Sequence, residues 1–238
     1  MNKINILLIT GFLTITSLTN LNAQNCSHDK VSIFINYVKG EFYEEATPLL
    51  AELRKNCKSW DSNIYIYGER MYRAKLKSAT DKKAITNELI QLLYDRLSYV
   101  PRGTTKGYVF GKIGLLMIDY EIGNTKEQYD VFDEAFKTDL KNFNNPKHLY
   151  LYFELYYNMY NSENQGIELE DLNEKFKEVN KKFKSESERL VILKNKIIEK
   201  INTGQKLSQR EKMRKKSIAG SIELIVLFTK KMKSLLDK

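Results

Sequence analysis

The stretch from Tyr37 to Cys57, YVKGEFYEEATPLLAELRKNC, constrains the fold of this chain more than any other. Gly40 ends one helical segment and Phe42 and Tyr43 make an aromatic turn. Glu44 and Glu45 then give the next segment an acidic first turn, where negative charge complements the helix dipole. Beyond them Ala46, Leu49, Leu50 and Leu53 recur at i, i+3, i+4 and i+7, one apolar stripe of helical period. This pattern predicts a helix–turn–helix hairpin. Such a unit cannot bury its own apolar face, so it must stack on neighbours of its kind, and looser copies follow it.

The first hairpin is expected to pair 29–39 with 43–56. Pro48 is comfortable only in a first turn, so the second helix either starts near Glu45 or bends there. After a cap at Asp61 or Ser62, the second pair runs over 63–78 and 81–99 and ends at Pro101 and Gly103. The third opens with GYVFGKIGLLMIDY (107–120), apolar nearly all round and therefore the most buried helix. Gly107, Gly111 and Gly114 in it imply close approach of a neighbouring helix. Its partner is expected at 125–142, with Tyr129, Phe132, Phe136 and Leu140 on one side. The fourth pair joins 148–160 to 168–184, with Leu149, Tyr152, Phe153, Tyr156 and Tyr160 on the core face. Two last helices, 186–202 and 207–236, are separated by Asn202-Thr203-Gly204, a helix C-cap signature.

Three prolines and eleven glycines in 238 residues are few for the many turns of a β-sandwich. The expectation is an all-α fold: a helix–turn–helix solenoid of about four hairpins over 24–184, closed by basic C-terminal helices over 185–238 that pack as a cap. At this length and with 42% hydrophobic residues, one continuous core is within reach.

Charge is unevenly spread. Residues 1–171 hold 20 Lys and Arg against 22 Asp and Glu, whereas 172–238 hold 19 against 8. The basicity belongs to the C-terminal part. It reads first as a solvated lysine-rich face, and alternatively as a surface for anionic lipid or polysaccharide through Arg210, Lys212, Arg214, Lys215 and Lys216. The apolar run of the last helix is about eleven residues and contains Glu223, too short to span a bilayer.

Residues 1–23 read as a signal peptide. Lys3 supplies a positive start, Ile4 to Leu18 an apolar stretch too short for an ordinary span, and Ala23 a small residue before Gln24, the expected mature N-terminus. Asn25 stands where a small residue precedes a lipidated cysteine, so Cys26 does not read as a lipoprotein anchor. The localisation expected is therefore export, to the periplasm or the medium. An exported chain with two cysteines implies a disulfide between Cys26 and Cys57, with two free thiols as the alternative.

Motifs with catalytic chemistry are lacking. Gly107 to Ile113 glances at a phosphate loop, but three residues separate the glycines and Ile113 replaces the magnesium-binding hydroxyl. His28 and His148, the only two histidines, show no ligand spacing. Glu168, Glu170 and Asp171 sit at a helix start, where the dipole explains them. No serine lies in a nucleophile elbow. No metal, no cofactor and no nucleic-acid partner are expected.

These spacings resemble tetratricopeptide repeats. Ala46, six residues after Gly40, matches the expected small residue, and Tyr67-Gly68 places a large residue before a glycine. More closely, the signal ending Ala-Gln, FYEEA with its downstream Asn-Cys, then IYIYGERM, LLYDRL and GYVFGKIG are similar to exported TPR-like proteins of Bacteroidota, over roughly 30–160. Lys58 departs from the proline that often follows the cysteine, and the chain is short beside the repeat arrays of larger relatives. The resemblance implies a binding scaffold without implying its ligand.

The reading that follows is an exported, non-catalytic scaffold for a protein or peptide partner. On such hairpins the first helices line the concave side, which makes Tyr65, Arg70, Tyr150, Glu154 and Tyr157 the candidate face, since Tyr and Arg suit interface hot spots. Two alternatives stand beside it: a peripheral envelope protein docking through its basic C-terminal helix, and a hydrolase without a recognisable motif.

Overall fold

The computed structural model describes residues 26–162 and 166–237. The expected signal peptide lies outside the described residues. Among them are nine helices and no strand: α1 (His28–Lys39), α2 (Tyr43–Asn56), α3 (Asn63–Ser78), α4 (Lys82–Tyr99), α5 (Lys106–Asp119), α6 (Thr125–Thr138), α7 (Pro146–Tyr160), α8 (Leu169–Asn202) and α9 (Gln209–Leu236). The protein is all-α. Consecutive helices pack on one another, and α1 also meets α3 while α9 folds back on α7.

Helix ends follow local chemistry. Ser27, Asp81, Asn124, Asn145 and Ser208 each accept a backbone N–H in the first turn of the helix they precede. For α3 the accepting side chain is Asp61, at 2.8 Å from the Asn63 amide. Gly204 closes α8 in the left-handed region at φ 75°, its N–H on the Ile201 carbonyl and that of Gln205 on the Lys200 carbonyl. Gly40 behaves otherwise. Its φ is −79°, and Glu41 takes the left-handed position at 64°. A Cβ at 40 would stand 2.7 Å from the Phe42 ring, so a side chain there would push that exposed ring aside. Helix α2 begins at Tyr43, as the 43–56 pairing expects and not near Glu45, so Pro48 sits inside it, exposed on the solvent side.

Three expectations about the later elements are corrected. Helix α6 stops at Thr138, so Leu140 lies outside it and is 42% exposed, while Phe143 from the following turn is buried in its place. The segments expected as two helices at 168–184 and 186–202 form one uninterrupted helix, α8. No glycine or proline interrupts 169–202, and Glu186 bridges the supposed break, bonded to Lys182 and Arg189 at 2.6 Å each. The domain boundary at 184/185 therefore falls inside a helix.

The core forms two clusters. One gathers Val31, Phe34, Leu50, Leu53, Ile64, Met71 and Leu92 from α1 to α4; the other gathers Phe132, Phe153, Val179, Phe183 and Ile225 from α6 to α9. Helix α5 serves both, with Val109, Ile113 and Leu116 in the first and Leu115 and Ile118 against the second. Its glycines make this possible. A Cβ at Gly107 would stand 2.5 Å from the Phe143 amide, one at Gly114 would stand 2.6 Å from the Phe132 ring, and one at Gly111 would overlap the His148 imidazole.

Candidate functional site

Helix α3 exposes one edge between α2 and α5. Ile66, Arg70, Arg73 and Lys77 follow at i, i+4, i+7 and i+11, a spacing that places them along one face. With Glu41, Tyr43, Glu69 and Ala74 they line a cleft of about 450 Å³. At its base is Glu69, only 8% exposed. One carboxylate there meets three cations: Lys112 of α5 at 2.7 Å, Arg73 at 2.9 Å and Arg96 of α4 at 3.8 Å. Burial opposes ionisation of Glu69, but the hydrogen bonds and charges of Lys112 and Arg73 outweigh it and hold the carboxyl below its ordinary range.

The consequence is an excess of positive charge around a single buried anion. Arg73 remains half-open to the cleft, and Lys112 lies 4.3 Å from the centroid of the exposed Tyr108 ring. Arg96 keeps a buried Nε with no hydrogen-bond partner among the described residues. Arg70 and Lys77 have no carboxylate partner among the described residues either. Guanidinium groups so placed can take a carboxylate in a two-pronged geometry, and Ile66, 42% exposed, offers an apolar contact beside them.

Of the five residues expected on the partner face, Arg70 lines this cleft. Tyr65 does not: it is fully buried, and its hydroxyl donates to the Lys58 carbonyl at 2.8 Å. Burial and the charge of Asp95 push that phenol up to about 12. One residue's rotation around α3 separates the buried Tyr65 from the exposed Ile66. Tyr150 is turned toward the core as well. Its ring stacks on Phe228 of α9 at 4.7 Å, and its hydroxyl donates to Glu154 at 2.6 Å. Tyr157 is half-buried beside Tyr160. The expected face is thus divided, with α9 laid over its α7 part.

Sequence reasoning passed over Glu69, Arg73, Lys77 and Lys112. The three on α3 were detectable, since GERMYRAKLK repeats charge at helical spacing. Lys112 was not, because its partner lies 43 residues away.

A second polar node lies in the C-terminal cluster. Tyr152 and Tyr129 both donate to Asp133, at 2.6 and 3.1 Å, and Lys137 bridges the same carboxylate at 2.7 Å. Lys175 donates to the Tyr152 oxygen at 2.9 Å and borders a cleft of about 370 Å³ with Tyr156, Asp171, Glu174 and Glu178. Burial pushes both phenols up, and the Asp133 charge adds to it. Asp133, although burial opposes its ionisation, is held below its ordinary range by Lys137 and Tyr152. Two phenols whose ionisation burial disfavours and a carboxylate taking three donors tie α6, α7 and α8 together as a structural lock.

Cys26 and Cys57 are bonded to one another, joining the start of α1 to the end of α2. Arg210, Lys212, Arg214, Lys215 and Lys216 are all exposed on the first turns of α9. His28 packs on Trp60 at 5.7 Å and His148 lies between Phe132 and Phe143. Among the described residues no three His, Cys, Asp or Glu gather as metal ligands would. Comparisons with protein families, with characterised proteins and with solved structures find no match to this chain.

Proposed function

We propose that the chain is a non-catalytic scaffold of helix–turn–helix repeats, a TPR-like solenoid, that binds a protein or peptide partner outside the cytoplasm. The observation that carries this reading is the cationic edge of α3. Arg70 and Lys77 stand there without carboxylate partners among the described residues, next to an exposed Ile66. The partner segment best suited to it presents carboxylates beside an apolar side chain. Charge selects such a segment and steers its approach, while the apolar contact adds affinity. Export is supported by the Cys26–Cys57 bridge, since disulfides persist in oxidising compartments.

Fluorescence-anisotropy titration with two labelled peptides tests the reading, one rich in Glu with a central Leu and the other with Lys in place of each Glu. The acidic peptide is expected to bind and the basic one not. The double change Arg70→Glu and Lys77→Glu is expected to weaken binding at least about tenfold. Equal binding of the two peptides, or undiminished binding by the variant, would remove the support for this cleft.

A further inference from the structure

We infer that the outward face of α9 docks on an anionic lipid surface. This helix has two different faces. Ile218, Ile225, Phe228 and Met232 are buried against α7 and α8. Leu224, Val226 and Leu227 are 39%, 67% and 46% exposed within one turn of each other near the middle of the helix, and Met213, 61% exposed, stands three turns earlier. No described element covers these side chains.

Charge identifies what fits them. Lys212, Lys216 and Lys230 lie within about 40° of one another around the helix, on the side away from its buried residues, and α9 as a whole holds eight Lys and Arg against two Glu. Glu211 is turned to Lys200 at 2.6 Å, which leaves Glu223 as the acid on that side. A second copy of the chain would bring the same strong positive charge against it, so self-association through this face is opposed. An anionic bilayer meets both properties. Apolar side chains standing out from a single convex helix enter the headgroup region, and lysines extend their stems along it to reach phosphates. No described helix is long and apolar enough to cross a membrane, so the contact is one of lying on the surface. The inference goes beyond the α3 cleft and is independent of it.

Co-sedimentation with vesicles tests it, using the chain from Gln24 onward, since both core clusters lie within 26–237. The vesicles are phosphatidylcholine alone, or phosphatidylcholine with about one-third phosphatidylglycerol. The protein is expected to sediment with the anionic vesicles and to stay in solution with the neutral ones. The triple change Lys212→Glu, Lys216→Glu, Lys230→Glu should weaken binding at least about a hundredfold. Leu224→Ser with Leu227→Ser should weaken it about tenfold or more without altering the net charge. Thermal melts establish that each variant is folded, and Met213→Ser replaces the double serine change should that one melt lower. Equal sedimentation with both vesicles, or none with the anionic ones, would overturn the inference. So would serine variants that bind like the parent, because charge alone, as for an acidic polysaccharide, would then account for the binding.

Discussion

His148 rests on Gly111 of α5 between two phenylalanine rings, 8% exposed, with Lys147 and Lys112 contributing positive charge nearby. Burial first, and those two lysines second, lower its pKa from 6.5 to about 4. The folded state thus binds this proton less readily than the unfolded one. Its contribution to stability is complete above pH 6.5 and is lost as pH falls from there toward 4, on the order of 3 kcal/mol in all. Glu69 and Asp133, held below their ordinary range, lose their contributions only at lower pH. Urea unfolding at successive pH values should therefore show a decline between 6.5 and 4 that His148→Gln flattens. An unchanged profile in that variant would show that another group titrates there. The same contact explains why Gly111 cannot be alanine without displacing the imidazole.

Among the elements, α8 and α9 depart furthest from a simple succession of hairpins. Helix α8 packs on both α7 and α9, meeting α7 at Lys175 and Phe176 and α9 at Lys200, and one continuous helix joins these contacts. Lys182 and Glu186, both buried at its middle, satisfy one another across a single turn. Replacing one partner would strand a buried charge, which is more costly than never having had the pair. Helix α9 returns over α7 and covers Tyr150 with Phe228. Deleting residues 207–238 removes Ile218, Ile225, Phe228 and Met232, each worth roughly 1.5–3 kcal/mol when fully buried, and opens the faces they covered. The truncated protein is expected to melt at markedly lower temperature or to aggregate. Melting like the full-length chain would show that α9 contributes little to the core.

At the scale of the molecule, the two core clusters depend on α5 to connect them and on the bridge to close the N-terminal end. Cys26 and Cys57 are 31 residues apart in sequence, and tying them restricts the unfolded chain by about 3–4 kcal/mol in the loop-entropy view. The double change Cys26→Ser and Cys57→Ser should lower the unfolding free energy by that order in chemical denaturation. Thiol-alkylation mass spectrometry of the native protein should find no reactive cysteine before reduction. Two alkylated thiols would contradict the bridge. Loss should be felt mainly in α1 and α2, because the bridge touches nothing in the second cluster.

Periodicity and punctuation by themselves determined a good deal. The 3.6-residue stripes placed seven of the helices within a few residues, and Asn202-Thr203-Gly204 marked the one clean break between long helices. The spacing of Gly107, Gly111 and Gly114 announced the close approach that the Phe143 backbone, the His148 imidazole and the Phe132 ring then make. Local signals reach this far because capping and amphipathic patterning are settled within a turn or two of chain. Other properties were decided only by tertiary structure. Whether 168–184 and 186–202 are one helix depends on α7 and α9 together offering a continuous surface to pack against. Which tyrosine is free depends on what returns to cover it: Tyr65 is lost to the packing of α3, and Tyr150 to a helix some seventy residues downstream. The cationic cleft is the same kind of feature. Glu69, Arg96 and Lys112 stand on three helices, and only the packing of α3, α4 and α5 brings their charges onto one carboxylate.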